Sequence, residues 1–312
     1  MKKKTKILII SLLFLICTGC TETLKDGKEV VTNKETGQNL TSNILCKPND
    51  DVLLSTYEKY DDKLQVKLDD LPTCKSFKPT NLEYESLWET IFIKPLAWII
   101  LKLGYLVNNM GISVMVIGLL IRLIMMPIQI KTVKQSENMK KIQPELARIE
   151  KKYKDKTDND SLMMKSQETM LLYKKYQINP VSGCLMAFIQ LPLFFAFLEA
   201  INRVPAIFEG TFLGMNLGMT PSTGIAEQNY IYIALIVLII LTTFLSFKNS
   251  MNSQEQNSEM AQQMKYMFIF MIIMVSFASL SLPTAIALYW IVTNGFAVIQ
   301  NYIIKKIIEK RI

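Results

Sequence analysis

One apolar stretch, ISVMVIGLLIRLIMMPI (residues 112–128), decides how the fold of this chain is interpreted. It carries Arg122 inside a run that is otherwise apolar enough to cross a membrane. An arginine at the centre of a span costs about 2.5–3.5 kcal/mol on insertion scales, so it usually faces a bundle interior or a wet cavity. The alternative is an arginine at the end of a span, whose guanidinium reaches the headgroups while its stem lies along apolar surface.

The composition places the chain among polytopic membrane proteins and argues against catalysis. Half of the 312 residues are hydrophobic, several apolar runs are long, and histidine is absent. Without histidine, Ser/His and Cys/His nucleophilic machinery and histidine-ligated metal sites are excluded. The phosphate-binding patterns GxxxxGK[ST] and GxGxxG do not occur. We therefore expect a protein that is not an enzyme, with no catalytic residue, no cofactor and no metal.

The first twenty residues, MKKKTKILIISLLFLICTGC, have the layout of an export signal. Lysines precede a short apolar run, and small residues follow it. The pattern resembles a bacterial lipoprotein signal, which predicts a signal peptide over residues 1–19 and a lipid such as palmitate on Cys20. An ordinary signal peptide and an uncleaved anchor are the alternatives.

Residues 20–85 are predicted to be an exported, lipid-tethered segment. Residues 21–42 are polar and read as a flexible tether, while residues 52–78 are expected to hold a small β-structured patch. Cys46 and Cys74 both lie in this segment, where an oxidising exterior permits a disulfide between them. Two free thiols are the alternative.

The remaining apolar runs predict an all-α membrane core. Residues 86–108 read as an amphipathic helix at the outer interface, with a true span as the alternative. Residues 109–308 are predicted to contain five membrane spans, at about 112–130, 181–201, 231–247, 266–282 and 284–304. The sequence Leu-Pro-Thr at 282–284 alone separates the last two spans, so they should form a tight helical hairpin.

The charges of the loops predict the orientation of these spans. Residues 131–180 hold twelve lysines and arginines, residues 202–229 hold only Arg203, and the tail 305–312 is basic. Cytoplasmic loops carry the excess of positive charge. The N-terminus is therefore expected outside, with residues 131–180 and the tail in the cytoplasm.

The segment 131–180 is predicted to be a cytoplasmic hairpin of two helices around the polar turn 154–160. The first helix carries an apolar stripe at spacings of three and four: Met139, Ile142, Leu146, Ile149 and Tyr153. Pro144 is expected to kink or restart this helix. The basic excess would suit anionic headgroups or ribosomal RNA, and a solvated face is the alternative. No sequence-specific binding of nucleic acid is expected.

Several motifs occur in a characteristic order along the chain: Arg122 with Pro127-Ile128, Gln143-Pro144-Glu145, YQINPVSGCL at 176–185, IQLP at 189–192 and LPTAIALYWIVTN at 282–294. In this order they resemble the YidC/Oxa/Alb membrane protein insertases, over about residues 86–308. The lipoprotein start resembles the versions found in single-membrane bacteria. The resemblance implies a five-transmembrane-helix insertase core with a cytoplasmic helical hairpin and the N-terminus outside.

The resemblance also implies a function and a site. Arg122 is expected in a water-filled groove that is open to the cytoplasm and to lipid and helps membrane proteins, and also lipoproteins, to insert and fold. The expected partners are nascent membrane proteins and the lipid bilayer, with the Sec translocon and the ribosome as candidates. The expected location is the bacterial cell membrane, crossed several times, with the lipid anchor on the outer side.

The candidate groove residues are polar or aromatic side chains within the spans: Arg122, Gln190, Thr242, Thr243, Trp290, Thr293 and Asn294. The threonines have an alternative role, which is to bond their own helix backbone. Gln190 has the alternative of a bond to a neighbouring helix, and Trp290 that of packing. Glu199 is expected to pair with Arg203 four residues later.

Other classes of protein compete with the insertase. One is an anion transporter or channel that uses Arg122 as its anion site, although no internal repeat pairs the spans. A surface lipoprotein receptor needs neither a central arginine nor a basic hairpin. An intramembrane protease is disfavoured because no aspartate lies in any span.

Overall fold

The computed structural model describes residues 21–179, 181–251 and 259–310, so the predicted signal peptide (1–19) and the predicted lipid site Cys20 lie outside the described residues. Within these limits the chain forms two compact units. The first unit contains residues 21–118, 191–237 and 278–290, and the second contains residues 119–190, 238–277 and 291–312.

Helices make up most of the described chain, as the sequence predicted. In chain order they are α1 (Asp51–Lys59), α2 (Lys94–Leu106), α3 (Met110–Ile124), α4 (Met126–Lys152), α5 (Asn159–Lys175), α6 (Val181–Asn202), α7 (Pro205–Phe208), α8 (Pro221–Ala226), α9 (Ile231–Met251), α10 (Glu259–Ser281) and α11 (Thr284–Glu309). Two small antiparallel hairpins pair β1 (Lys25–Asp26) with β2 (Glu29–Val30) and β3 (Thr211–Phe212) with β4 (Met215–Asn216).

The prediction of a flexible tether over residues 21–42 is wrong, because this stretch is folded. Leu24 and Leu40 are buried, and Leu24 donates its N–H to the Leu40 carbonyl over 2.8 Å. They join a core with Ile44, Leu53 and Tyr57. The polar average of the stretch concealed the two leucines that turn inward, Leu24 and Leu40.

The predicted β-structured patch over residues 52–78 is also wrong. The chain forms helix α1 there, followed by short 3₁₀ turns at Asp61–Lys63 and Leu68–Asp70. Asp50 caps α1, since its side chain accepts the N–H of Leu53 over 2.8 Å. Leu53 and Tyr57 lie four residues apart, so the helix buries both on one face.

The segment 20–85, which the sequence predicts to be exported, contains the Cys46–Cys74 disulfide, with 4.8 Å between the two Cα atoms. Both cysteines are buried. Lys47, next to Cys46, donates its N–H to the Pro72 carbonyl over 2.9 Å. The disulfide therefore links the two ends of the stretch 46–74.

A π-helical turn, Glu89–Ile93, leads directly into α2, so helix occupies most of the predicted amphipathic segment 86–108. Ile93, Ala97, Ile100 and Leu101 are fully or almost fully buried in the first unit. Trp88 is buried as well. This segment thus packs one apolar face against the unit.

The predicted continuous span 112–130 is interrupted at Met125. Helix α3 ends at Ile124, α4 begins at Met126, and the two are bent by 58°. Pro127 explains the break, because it has no N–H to continue the helical ladder of α3, whereas a proline is well tolerated in the first turn of a new helix such as α4. Arg122 therefore lies in the last turn of α3, rather than at the centre of one long helix.

Helices cover the other predicted spans. Among the described residues, one helical stretch, Ile231–Lys248, is by itself long and apolar enough to cross a membrane, and the bent pair α3–α4 meets the same test when taken together. A two-residue break at 282–283 separates α10, which ends at Ser281, from α11, which begins at Thr284, at the place where a tight helical hairpin is predicted.

The hairpin predicted over residues 131–180 is formed by α4 and α5 in the second unit. Its core contains Ile142, Leu146, Leu172 and Ile178, so the predicted apolar stripe faces the partner helix. Lys152 and Glu168 pair across the turn over 2.5 Å. Helix α4 runs through Pro144 without ending, so the expected restart there is wrong.

Candidate functional site

The second unit brings polar side chains of α9 and α11 together inside apolar sequence. Asn294 donates a hydrogen bond from Nδ2 to Oγ1 of Thr243 over 3.1 Å. Thr243 is buried, and Asn294 is half-buried. A Cβ added at Gly295 would lie 3.9 Å from Cγ2 of Thr242, so the two helices run close together at this level.

Arg122 is half-buried in the last turn of α3. A positive charge at this end of a helix interacts favourably with the carbonyl groups that the last turn leaves unpaired. The break at Met125 therefore has an electrostatic benefit for the arginine. It also places Arg122 at the end of helix α3, with its side chain half-buried.

The other predicted residues of the second unit have different surroundings. Thr242 donates from Oγ1 to the carbonyls of Leu238 and Ile239, over 2.7 and 3.2 Å, which is the backbone role foreseen as its alternative. Thr293 is buried, and Gln190 is half-buried.

Trp290 belongs to the first unit, unlike the other candidate groove residues. Its indole stacks on the ring of Phe194 in α6, with 5.6 Å between ring centroids and 14° between the planes. One residue earlier, Tyr289 stacks on Phe197 at 4.1 Å. Aromatic stacking of this kind contributes packing energy, which agrees with the packing alternative for Trp290.

Sequence reasoning missed two features of the second unit. Gln129 in α4 donates from Nε2 to Oδ1 of Asn301 in α11 over 2.9 Å. Gln300 is only 2% exposed, and both atoms of its amide are without a hydrogen-bond partner among the residues that the structure describes. Asn294 and Asn301 lie seven residues apart in α11, which places both amides on one face of the helix. This spacing was the signal in the sequence that could have revealed the polar face.

Sequence reasoning found only part of a second polar centre, which lies in the first unit. The predicted pair Glu199–Arg203 is confirmed, with 3.5 Å between Oε1 and Nη1. Glu85, Glu89 and Lys94 join it, and no local spacing connects them to α6.

The chemistry available at the polar face of the second unit is hydrogen bonding. Its groups are neutral amides and hydroxyls, which can bind water and peptide groups, and the guanidinium of Arg122 in the same unit can bind carboxylates. Across residues 21–179, 181–251 and 259–310, no group of three or more Asp, Glu, Cys or His side chains is arranged to hold a metal ion.

A comparison with solved structures finds one entitled "Active YidC insertase crystal structure with the first transmembrane domain resolved". The TM-score is 0.48 and the sequence identity 27%. The match covers 70% of this chain and 46% of that one, so this chain spans less than half the length of the solved protein.

Sequence comparisons cover most of this chain. The "Membrane protein insertase YidC" of Oceanobacillus iheyensis is 36% identical over 230 residues, which are 73% of this chain and 88% of the relative. The "Membrane protein insertase MisCA" of Bacillus subtilis is 34% identical over 237 residues, or 75% of this chain and 86% of the relative. The model of the family described as "60Kd inner membrane protein" matches residues 102–311. The chain therefore belongs to this family, the YidC/Oxa/Alb membrane protein insertases.

Proposed function

We propose that this protein is a membrane protein insertase, which helps integral membrane proteins to enter the bilayer and fold there. The observation that carries the proposal is the close likeness to proteins named as insertases, over about three quarters of the chain and most of each relative. The polar face of α9 and α11 supports it physically, because hydrogen-bonding groups within apolar helices are what a passing polar segment needs.

The topology that we propose has five spans with the N-terminus outside. The spans are α3 with the first turns of α4, then α6, α9, α10 and α11 in turn. Helix α3 alone would be about 22 Å long, shorter than a hydrocarbon core of about 30 Å. The proposed first span therefore ends beyond the bend, with the basic hairpin α4–α5 in the cytoplasm.

A lipid on Cys20 is part of the same proposal, and the fold of the exported segment supports it. Ser42 donates its N–H to the carbonyl of Glu22 over 2.8 Å. The next residue back, Thr41, donates from its hydroxyl to the carbonyl of Asn202, at the end of α6. Two residues reach about 7 Å at most, so a lipid on Cys20 would enter the bilayer beside the outer end of α6.

The mechanism that we propose lowers the barrier for the polar tail of an incoming chain. An unpaired polar group in hydrocarbon costs several kcal/mol. Arg122 would attract acidic residues of the tail, since a fixed positive charge acts strongly in a low dielectric. The peptide groups of the tail would form hydrogen bonds with groove side chains in place of water. These side chains are Thr243, Thr293 and Asn294, with Gln190 and Thr242. The apolar part of the substrate would then leave sideways into lipid.

The proposed partners follow from this mechanism. Nascent membrane proteins are the substrates, and the lipid bilayer receives them. The basic, exposed surface of the hairpin α4–α5 supports contact with anionic partners in the cytoplasm, for which the ribosome is one candidate and the Sec translocon a second partner.

The test is insertion into liposomes by the purified full-length protein. A small single-span substrate with an acidic exported tail is added, and its protection from external protease is measured. Wild type is compared with Arg122→Ala, with Arg148→Ala and with empty liposomes. Arg148 is an exposed arginine of α4, so the same substitution there serves as the matched control.

Insertion by wild type and Arg148→Ala, with a marked drop in Arg122→Ala, is the expected result. Equal insertion by all three proteins would keep the insertase but remove Arg122 from its mechanism. No insertion above empty liposomes by folded protein would contradict the proposal. Anion flux through the same liposomes would then favour the transporter.

A further inference from the structure

Five ionisable side chains meet in the first unit, from three separate parts of the chain. Glu85 belongs to the end of the exported segment. Glu89 and Lys94 belong to the helical stretch that begins at Glu89, Glu199 to the end of α6, and Arg203 to the turn that follows α6. Four of the five side chains are no more than 6% exposed, and Glu85 alone is open to solvent, with 37% of its side chain exposed.

Arg203 is the centre of this cluster. Its Nη2 donates to Oε1 of Glu89 over 2.5 Å and lies 3.8 Å from Oε1 of Glu85. Its Nη1 lies 3.5 Å from Oε1 of Glu199. Its Nε donates to the main-chain carbonyl of Asn43 over 2.5 Å, so the same guanidinium also binds the exported segment.

The second cation and an indole complete the surroundings of the carboxylates. Lys94 donates from Nζ to the carbonyl of Glu83 over 2.6 Å and lies 4.0 Å from Oε1 of Glu89. Trp88 donates from Nε1 to Oε2 of Glu199 over 3.1 Å. Every charged group of the cluster is thus in contact with a group of opposite sign or a hydrogen-bond partner.

The cluster has one negative charge more than it has positive charges. Three carboxylates face two cations, and an uncompensated charge in a buried site costs several kcal/mol. Oε2 of Glu89 and Oδ1 of Asn43 are also buried and accept no hydrogen bond within the described residues. Both atoms are hydrogen-bond acceptors, so what is missing at the cluster is a hydrogen-bond donor.

We propose that the cluster binds one proton, shared between the Glu85 and Glu89 carboxyl groups, and that this proton holds the exported segment against the end of α6. The proton makes the cluster neutral and supplies the missing donor. Glu85 exchanges it with the outside, because only that side chain reaches solvent. The exported segment thereby becomes sensitive to the pH of the exterior.

The electrostatics of Glu85 agree with this assignment. Burial and, to a lesser extent, the neighbouring Glu89 carboxyl raise the pKa of Glu85 to about 7, against the opposing effects of Arg203 and Lys94. The folded-state pKa lies above the ordinary value of 4.5. Protonation of Glu85 therefore favours the state in which the exported segment is attached. This contribution is fully present below pH 4.5 and is lost as the pH rises through about 7.

Two contacts report on this attachment. The carbonyl of Asn43 accepts the Arg203 side chain, and Leu45 donates its N–H to the Arg203 carbonyl over 2.8 Å. Exchange of the Leu45 amide hydrogen with solvent requires the exported segment to separate from α6. Its protection factor therefore measures the attachment directly, whatever the protein does to substrates.

The experiment is hydrogen exchange of residues 43–47 in the full-length protein in nanodiscs, at pH 6 and pH 8, corrected for the intrinsic rate. In wild type the protection factor should fall about tenfold between these pH values, as one proton with a pKa near 7 requires. In Glu85→Gln the side-chain amide carries N–H groups at every pH. The protection factor of this variant should therefore stay high at both pH values. Glu58→Gln, at an exposed position of α1, should follow wild type.

Equal protection of wild type at both pH values would overturn the proposal, and so would an unchanged pH dependence in Glu85→Gln. Glu89→Gln provides the same test if Glu85→Gln does not fold, because it neutralises the other carboxyl and keeps an oxygen for Arg203. Its protection should fall by less than tenfold, because the Glu89 charge no longer raises the pKa of Glu85, and an unchanged tenfold fall would contradict the shared proton.

Discussion

Asn294 and Thr243 are hydrogen-bonded to each other across the second unit, with 3.1 Å between Nδ2 and Oγ1, and they are 51 residues apart in the chain. The bond joins α9 to α11 close to Gly295, where an added Cβ would lie 3.9 Å from Cγ2 of Thr242. It is a direct contact between two residues of the proposed groove.

A double-mutant cycle should measure this bond. Thr243→Val and Asn294→Ala are each expected to lower the free energy of unfolding, and the double variant should lose less than their sum, with a coupling of about 0.6 kcal/mol, as for hydrogen bonds between membrane helices. Unfolding in mixed micelles is the measurement. Strict additivity of the two losses would mean that the side chains are not partners.

Arg122→Lys should retain more insertion activity than Arg122→Ala. A lysine keeps the positive point charge that attracts an acidic tail but loses the planar fork of the guanidinium. Protease-protected insertion into liposomes, with substrates bearing acidic and neutral tails, checks this. If both variants lose activity equally, the fork geometry matters more than the charge.

Gln300→Leu should raise the free energy of unfolding by about 1 kcal/mol, since it removes a buried amide that lacks partners among the described residues. The stability curve of the variant in micelles is the measurement. Gln167→Leu, at an exposed position of α5, is the control and should change stability by less than about 0.5 kcal/mol. A loss of stability in Gln300→Leu would show that bound water satisfies the amide in solution.

Replacing Cys46 and Cys74 by serine should destabilise the exported segment by about 3–4 kcal/mol, because the bond closes a loop with a sequence separation of 28. Protease resistance of residues 21–85 reports the loss. Both sulfurs are buried, so a mild reductant without denaturant should leave the wild-type bond intact. Rapid reduction of the native protein would contradict this burial.

Two adjacent leucines of α5 offer a matched test of the hairpin. Leu172 is 7% exposed and packs in the core of the hairpin, whereas Leu171 is 63% exposed. Leu172→Ala should cost about 2–5 kcal/mol, and Leu171→Ala less than about 0.5 kcal/mol. Hydrogen exchange of α4 and α5 measures both. Equal losses would mean that α5 also uses its Leu171 face for packing.

The sequence by itself determined the features that depend on neighbours along the chain. The apolar stripe from Met139 to Tyr153 follows from helical periodicity, and the tight turn at 282–284 from the proline between two apolar runs. The pair Glu199–Arg203 follows from the spacing of one helical turn. In each case the interacting groups are a few residues apart, so the helix alone brings them together.

Only the tertiary structure decided the features that join distant parts of the chain. Arg203 meets Glu89 across a sequence separation of 114, and the bond between Asn294 and Thr243 crosses two helices. The same holds for residues 21–42, whose few apolar side chains find a core only when Leu53 and Tyr57 pack against them. Spacing along a chain carries no information about such contacts, because their partners are chosen by packing and by the need to neutralise buried charge.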